Sequence, residues 1–183
     1  MDDEARLVRQ AQAGEEAAFV ALYQQNQPSV YTYIYYRVGE RMTAEDLTAE
    51  VFVRLVGKIN RFKPGKRPIL AWLYTIAGNL VADHYRRKGR ATWLPLSEEV
   101  RSNGHSPSQM VQTAQEHNRL AAAMEQLTEE QRQVVLLRFV ERRSIAETAA
   151  ILGKTEGAVK ALQHRALAAL RRTLEKDEQY ERV

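Results

Sequence analysis

Residues 144–172 read SIAETAAILGKTEGAVKALQHRALAALRR, and their spacing is that of two short helices joined by a tight turn. A helix-turn-helix needs a small residue where the helices approach, a glycine at the turn and apolar residues that hold the second helix on the first. Ala149 supplies the small residue, Gly153 supplies the turn, and Val159 with Leu162 supplies the apolar contact. The segment therefore predicts a helix-turn-helix unit.

The second helix of this unit has an apolar and a basic face. Apolar residues recur at three- and four-residue spacing, at Val159, Leu162, Ala166, Leu170 and Leu174. The opposite face carries Lys160, Gln163 and His164, with Arg165 beside them. Such side chains donate hydrogen bonds to phosphates and to base edges in the major groove. A helical hairpin with a solvated basic face is the alternative, but the combined spacing and charge favour DNA binding.

Composition limits the classes of protein that fit. The chain has 183 residues, a formal net charge of +4, 44% hydrophobic residues and no cysteine. Disulfides and thiolate metal sites are therefore excluded. The four histidines lack metal-ligand spacing, and no nucleophile–base pattern or phosphate-cradling glycine loop is present. We expect no metal, no cofactor and no enzymatic activity.

The amino terminus, MDDEARLVRQ, is charged, and no apolar run is long enough to cross a bilayer. These features predict a cytoplasmic protein without membrane insertion.

Helical periodicity recurs along the chain and predicts an all-α fold. Predicted helices cover residues 2–13, 15–39, a segment capped by Thr43 and ending before Lys63, and residues 69–88. The third of these carries Leu47, Val51, Leu55 and Ile59 on one face, with Phe52 and Val56 beside them. Thr128 then resembles a helix cap, with Gln131 three residues later.

Periodicity disappears between Gly89 and Gln112, where proline, serine, glycine and asparagine accumulate. The expected organisation is two small helical domains, 1–90 and 113–183, joined by a flexible linker, 91–112. An ordered loop packed between the domains is the alternative for the linker.

The helix predicted at 69–88 is the second informative segment. Its carboxyl end brings Arg86, Arg87 and Lys88 together after Tyr85, and aromatic with basic residues suits nucleic acid. The same residues also suit packing and complementation of the helix dipole. Asn79 and Asp83 are polar and four residues apart, although Asp83 can also pair with a nearby arginine.

Three motifs in order carry a family resemblance: AEDLTAEVFVRL, AWLYTIAGNLVADHYRRKGR and LTEEQRQVVLLRFVERRSIAETAAILGKTEGAVKALQHRALAALRR. Together they closely resemble bacterial sigma factors of the extracytoplasmic-function (ECF) subgroup of the sigma-70 family. The resemblance covers almost the whole chain. It implies a promoter-melting helical bundle followed by a carboxyl-terminal helix-turn-helix domain.

The resemblance implies a role for each motif. Asp46, Leu47 and Glu50 match the segment that docks on core RNA polymerase, at the β′ clamp helices, with Leu47 mainly structural. The −10 region is matched by the loop Lys63 to Arg67 and the following helix; its candidate residues are Lys63, Lys66, Asn79, Asp83, Arg86 and Arg87. The positions that meet the −35 element are matched by Lys160, Ala161, Gln163, His164 and Arg165. Ala161 and Leu162 stand where the family often has serine and arginine.

The implied function is transcription initiation: binding of core RNA polymerase, through its β and β′ subunits, and direction of that enzyme to promoter DNA. An anti-sigma factor is a further expected partner. The alternative is a stand-alone helix-turn-helix regulator with an N-terminal sensing or dimerisation domain.

Overall fold

Every described element of the chain is helical. The computed structural model describes residues 2–65, 67–88 and 123–180, with the side chains of residues 2 and 176–180 left aside. No strand occurs in these ranges. The all-α prediction is confirmed. The predicted linker, 91–112, and the predicted return of helix at residue 113 lie outside the described residues.

The N-terminal bundle, residues 2–88, contains four α-helices. They are α1 (Asp2–Gln12), α2 (Glu16–Val38), α3 (Arg41–Lys58) and α4 (Ile69–Lys88), with a 3₁₀ turn at Ile59–Arg61. Helix α2 is central, because it contacts α1, α3 and α4. Gly39 ends α2 with φ 69°, and its N–H bonds to the Tyr35 carbonyl, a helix end that favours glycine.

Large apolar side chains fill the middle of this bundle. Leu22, Ile34, Leu55, Ile69 and Leu73 are almost completely buried. Full burial of such a side chain contributes about 1.5–3 kcal/mol. The sequence pattern predicted Leu55 correctly.

Helix α3 differs from the prediction at two points. It begins at Arg41 after Glu40, which makes no side-chain cap, so Thr43 lies inside the first turn and donates instead to Glu40. Val56 was predicted beside the core, but it is 56% exposed. Val56 lies one helical turn after Phe52 and, with Phe52 and Val53, lines an apolar groove at the surface of the bundle.

The C-terminal unit, residues 123–180, contains the helix-turn-helix. Its elements are a helical end at 123–125, α5 (Glu129–Val135), a π-helical segment (Leu136–Val140), α6 (Ile145–Leu152) and α7 (Glu156–Tyr180). Thr128 caps α5 through a reciprocal bond with Gln131, as predicted. Ser144 and Glu147 form the same capping box on α6; it was not predicted, although the two residues have the three-residue spacing of such a box.

Two small apolar clusters hold this unit together. Val134, Ala149, Val159 and Leu162 form the helix-turn-helix core. Met124, Leu127, Leu136, Ala166 and Leu170 form a second cluster, and Tyr36 of the N-terminal bundle packs against it. Gly153 ends α6 with φ 64°. The predicted positions of the small residue, the glycine and the apolar contacts are all confirmed.

The two bodies pack directly against each other. Leu137 and Ile151 of the C-terminal unit are buried in the same apolar cluster as the N-terminal core. Helix α4 contacts α6 across this boundary. The interface therefore has an apolar component as well as the polar contacts described below.

Candidate nucleic-acid interface

The exposed face of α7 carries the basic side chains predicted to meet DNA. Lys160, Ala161, His164 and Arg165 are exposed, whereas Val159, Leu162 and Ala166 are buried beneath them. The helical repeat separates the two sets, because residues three and four apart share a face. The arrangement presents cationic and imidazole donors outward from a packed helix.

Gln163 lies at the edge of this face and already has a partner. Its side-chain oxygen accepts a hydrogen bond from Arg138 Nε at 3.1 Å. The amide nitrogen remains as a donor toward a ligand. Arg138 also donates to the Arg143 carbonyl, so this arginine joins the π-helical segment, the turn before α6 and the recognition helix.

The carboxyl end of α4 presents the second basic surface. Arg86 and Arg87 are exposed, and Asp83, which is partly exposed, pairs with Arg86. Asp83 and Arg86 are three residues apart and share a helix face. Asp83 therefore pairs with a neighbouring arginine in this structure, which was one of its two expected roles. Asn79 is exposed four residues earlier.

The loop before α4 lies next to the C-terminal unit. Lys63 is exposed, and Gly65 has φ 89°, which fits the turn predicted from Pro64 and Gly65. Lys66 lies outside the described residues. Arg67 Nη2 donates to the Ile151 carbonyl in the last turn of α6 at 2.9 Å. Its guanidinium would lie 3.1 Å from a Cβ placed on Gly153.

The predicted polymerase-docking residues lie along α3. Asp46 is exposed, Glu50 accepts a hydrogen bond from Arg54 at 2.8 Å, and Leu47 packs partly buried against the core. Beside them is an apolar groove of about 420 Å³ whose lining includes Tyr23, Phe52, Val53 and Val56. Val53 is 66% exposed. Val53 was not predicted as part of this surface, although its three-residue spacing from Glu50 places it on the same face.

Glu141 of the C-terminal unit binds two hydroxyl groups of the N-terminal bundle. It accepts hydrogen bonds from Ser29 Oγ at 2.6 Å and from Tyr74 Oη at 2.7 Å. Its side chain is only 9% exposed. Arg143 lies 3.5 Å from both the carboxylate and Ser29 Oγ. These donors satisfy a carboxylate that burial alone would destabilise.

Glu129 makes the second polar contact between the bodies. It accepts hydrogen bonds from Arg37, from Tyr33 Oη at 3.2 Å and from Gln133 at 2.7 Å. The Arg37 side chain is 5% exposed, and its guanidinium lies 3.4 Å from the centre of the Tyr33 ring. Tyr33 in turn stacks on Tyr74 with ring centres 4.5 Å apart.

Burial perturbs the titration of these groups. It raises the pKa of Tyr33 to about 12, with Arg37 opposing the shift and Glu129 adding to it. Burial, followed by the Glu141 charge, raises the pKa of Tyr74 well above 10. Burial also opposes ionisation of Glu129, but Arg37 and the hydrogen bonds to the carboxylate outweigh it and lower the pKa.

A cleft of about 720 Å³ lies between the two bodies. Its lining includes Arg37, Tyr74 and Asn79 from the N-terminal bundle and Glu129 and Leu152 from the C-terminal unit. The tyrosine-rich segment YTYIYYRV, residues 31–38, lies within the helix predicted at 15–39. Its role in the interface depends on partners about a hundred residues away, which helical periodicity does not reveal.

Among the residues that the structure describes, no group of three or more histidine, aspartate or glutamate side chains is placed to hold a metal ion. None of the helices in the described part of the chain combines the length and the apolar character that a membrane span requires.

Comparison with known proteins identifies the family. The family model Sigma-70 region 2 matches residues 22–91, and Sigma-70, region 4 matches residues 117–170. The chain is 44% identical over 173 residues to the ECF RNA polymerase sigma factor BldN of Streptomyces coelicolor, covering 93% of this chain and 66% of BldN. It therefore spans just under two thirds of the length of that relative.

Two further proteins support the same assignment. The ECF RNA polymerase sigma factor SigD of Mycobacterium bovis is 37% identical over 171 residues, which cover 90% of this chain and 81% of SigD. The solved structure of CnrH in complex with the cytosolic domain of CnrY has a TM-score of 0.68 and 25% identity, and covers 95% of this chain and 98% of CnrH.

The match of residues 22–91 to region 2 gives no support to a stand-alone regulator with a sensing or dimerisation domain. Helical bundle, helix-turn-helix and relatives agree: the chain belongs to the sigma-70 family, as an ECF sigma factor, and is a promoter-specific transcription initiation factor.

Proposed function

We propose that this chain binds core RNA polymerase and divides promoter recognition between its two bodies. The C-terminal unit reads the −35 element, and the N-terminal bundle recognises and melts the −10 element. The observation that carries this proposal is the occurrence of both sigma-70 regions on one chain, with a basic recognition face exposed on α7. The domains are assigned as 1–90 and 113–183, with 91–112 between them.

At the −35 element, α7 lies in the major groove. Lys160, His164 and Arg165 supply donors to bases and phosphates, and Gln163 supplies its amide nitrogen. Ala161 is exposed on the same face and allows close approach of a base or a thymine methyl group. One good bidentate contact contributes about 1–3 kcal/mol of discrimination, so this surface alone has limited specificity.

At the −10 element, α4 and the preceding loop form the binding surface. Asn79 and Asp83 face unpaired bases, Arg86 and Arg87 contact phosphates, and Lys63 with Lys66 lies on the loop that receives an extruded base. Extruding a base costs about a few kcal/mol, which its capture in a pocket offsets. The Asp83–Arg86 pair must then exchange partners when DNA binds.

The polymerase-docking surface is the exposed face of α3. Asp46 and Glu50 make polar contacts with the β′ subunit, and Leu47 supports the helix from beneath. Val53 and Val56 add exposed apolar area next to these carboxylates. A mixed surface of this kind has the composition of a protein interface, with an apolar centre and a polar edge.

The physical role of the chain is that of an adaptor. Once polymerase fixes the separation of the two bodies, engagement of the second DNA element becomes intramolecular and gains effective concentration. The catalytic chemistry belongs to the polymerase, so we assign no enzymatic activity to this chain. We further propose a cytoplasmic location, where polymerase and promoter DNA are found, and regulation by an anti-sigma factor.

Run-off transcription with purified core RNA polymerase tests the proposal. Genomic fragments serve as templates, with core polymerase alone as the control. We expect transcripts that start at defined positions only when the chain is added. A chain that binds operator DNA tightly by itself, but neither binds polymerase nor starts transcripts, would refute the proposal.

A further inference from the structure

Arg138 connects the π-helical segment to the recognition helix α7. Its Nε–H donates to the side-chain oxygen of Gln163 at 3.1 Å, and its Nη1 donates to the Arg143 carbonyl in the turn before α6. The guanidinium is planar, so two bonds to different elements fix the plane of the whole group. Arg138 is also partly buried. Its donors are therefore held in a defined orientation beside α7.

The backbone around Arg138 is hydrogen-bonded on both sides. The Glu141 N–H bonds to the Leu136 carbonyl, five residues earlier, at 3.0 Å, and the Arg143 N–H bonds to the Leu137 carbonyl at 2.8 Å. Leu136 and Leu137 are buried, so this segment is anchored in the core of the C-terminal unit. Turns of π-helix occur frequently at functional sites. The segment thus gives Arg138 a rigid base from which to reach α7.

The chemistry of the two side chains determines which way the Gln163 amide faces. A guanidinium donates hydrogen bonds and has no acceptor, whereas an amide has an acceptor oxygen and a donor nitrogen. Only the oxygen of Gln163 can therefore face Arg138, and the nitrogen is the atom left for a ligand. A glutamine without this partner could rotate its amide and present either atom.

This orientation changes the bases that Gln163 can recognise. A glutamine that is free to turn pairs with adenine, because it accepts from N6 and donates to N7. With its oxygen bound to Arg138, Gln163 lacks that acceptor, but its N–H groups still match guanine O6 and N7 or thymine O4. A base donor left without an acceptor in an interface is unfavourable. Adenine loses its advantage at this position.

From this geometry we propose that Arg138 is a positioning residue for promoter selectivity. It holds the Gln163 amide with the nitrogen outward, so one base pair of the −35 element is recognised as guanine or thymine and adenine is disfavoured. The inference rests on the proposed function, because it takes α7 as the helix that enters the major groove. Arg138 acts through Gln163 and need not touch the base.

Run-off transcription from a promoter library tests the selectivity. The library carries a randomised −35 element, the full chain is combined with core RNA polymerase, and a barcode in each transcript reports the template used. Q163A identifies the base pair that Gln163 recognises, because the preference there is lost. At that base pair the parent chain should favour guanine or thymine. R138M should raise the use of adenine relative to them by about tenfold, the size of one base contact.

Three variants separate positioning from a structural role. R138K should keep the parent preference, because lysine also donates and has no acceptor. R142M removes the same charge from an exposed position four residues further on, and should change nothing. R138M/Q163A should have the same preference as Q163A alone, because the two residues act as one unit. A structural role of Arg138 would instead lower transcription from every template and leave the base preference unchanged.

Q163E tests the amide while Arg138 stays in place. Its carboxylate still accepts from the guanidinium but offers no donor, so the preference for guanine or thymine should be lost and cytosine, whose N4 donates, should gain. This variant keeps the inference testable if R138M does not fold. Circular dichroism verifies that each variant is folded.

Hydrogen exchange of the Arg138 Nε–H group, followed by NMR in the free chain, tests the contact without polymerase. The signal is assigned by its absence in R138K. Exchange should be about fivefold faster in Q163A than in the parent chain, as loss of one hydrogen bond implies.

Four results would each overturn the inference: equal exchange in Q163A and the parent chain, a Q163A profile that matches the parent at every position, a parent preference for adenine at the Gln163 position, or an unchanged preference in both R138M and Q163E. If the proposed function fails instead, the parent chain enriches no −35 sequence, and the selectivity is overturned with it. The exchange rate still reports the contact between Arg138 and Gln163 in that case.

Discussion

Gly153 is constrained both by its backbone conformation and by the close approach of a side chain from the other body. Its φ of 64° ends α6, and its missing side chain leaves room for the Arg67 guanidinium. Left-handed backbone costs a non-glycine residue roughly 1–2 kcal/mol. The sequence predicted the turn from the glycine, but the approach of Arg67 from the other body had no local signal.

We therefore expect Gly153→Ala to destabilise the C-terminal unit by about 1–2 kcal/mol or more in urea unfolding. Gly157→Ala is the matched control, because its Cβ would meet nothing within 4 Å and its φ is ordinary for a helix. That change should stabilise by about 0.4–1 kcal/mol. Equal effects of the two substitutions would contradict the assigned role of Gly153.

The two buried tyrosines predict a dependence on alkaline pH. Burial raises the pKa of Tyr33 to about 12 and that of Tyr74 well above 10, while an unfolded tyrosine ionises near 10. Each folded pKa lies above its unfolded value. The corresponding stabilisation is complete below pH 10 and is lost as pH rises through each folded pKa, which for Tyr33 is about 12.

Tyrosinate absorbance during a pH titration measures this effect. Tyr33→Phe and Tyr74→Phe should each remove absorbance from the last part of the titration. Tyr31→Phe is the control, since burial raises its pKa less strongly and its signal should disappear earlier. Loss of absorbance near pH 10 in all three variants would show that Tyr33 and Tyr74 are not buried in solution.

At the scale of the helices, local patterns predicted most of the fold. Spacing of apolar residues predicted α1, α2, α4 and the helix-turn-helix, because burial of one face follows the 3.6-residue repeat. The start of α3 was misplaced: Thr43 with Asp46 imitates a capping box, but the helix had already begun at Arg41. The π-helical segment Leu136–Val140 was not predicted either.

The capping box of α6 gives a prediction for an element. Ser144→Ala removes the side-chain acceptor for the Glu147 N–H and should cost about 1 kcal/mol in urea unfolding. The hydrogen bonds from Ser144 lower the pKa of Glu147 below its ordinary value of 4.5. The stability that the ionised Glu147 carboxylate contributes is therefore present above about pH 4.5, and it is lost as pH falls through the pKa of Glu147 in the folded chain.

Thr43→Ala is the control for this substitution. Thr43 bonds only to the exposed Glu40 side chain, so its loss should change stability by less than about 0.5 kcal/mol. A large effect of Thr43→Ala together with none for Ser144→Ala would contradict the observed helix starts.

The recognition helix gives a second prediction at this scale. Arg165 is exposed, and its only described hydrogen bond is to the Ala161 carbonyl of its own helix. Arg165→Ala should reduce transcription that depends on the −35 element by about tenfold, the equivalent of 1.4 kcal/mol within the range for a base contact. Binding to core polymerase should stay the same.

Arg172→Ala is the control for Arg165, because it removes the same charge from an exposed position two turns along α7. It should leave transcription nearly unchanged. Equal losses of transcription and polymerase binding in Arg165→Ala would indicate a structural role instead.

At the scale of the whole molecule, the relation between the two bodies was beyond sequence reasoning. Tyr33, Arg37 and Tyr74 lie in two of the helices predicted for the N-terminal bundle. Their acceptors, Glu129 and Glu141, lie far along the chain, and a single sequence gives no information on contacts at such separation. The family resemblance supplied the site residues, whereas the interface came only from three-dimensional packing.

Docking on polymerase gives the prediction for the whole molecule. D46A/E50A should weaken binding to core polymerase by about tenfold or more, as loss of contacts at an interface centre does. The helix should remain folded, because Asp46 is exposed and Glu50 bonds only to the neighbouring Arg54. Glu16→Ala, on α2, is the control. Unchanged polymerase binding by D46A/E50A would place the docking site elsewhere.

The outward basic face of α7 has a consequence for a chain that has not yet met polymerase. Because Lys160 and Arg165 stay uncovered while the bodies are packed, weak sequence-independent attraction to duplex DNA persists, with few counterions released. Its strength should decline only gently as ionic strength rises. We therefore expect a chain that is not bound to polymerase to stay weakly associated with chromosomal DNA, close to the RNA polymerase that it binds.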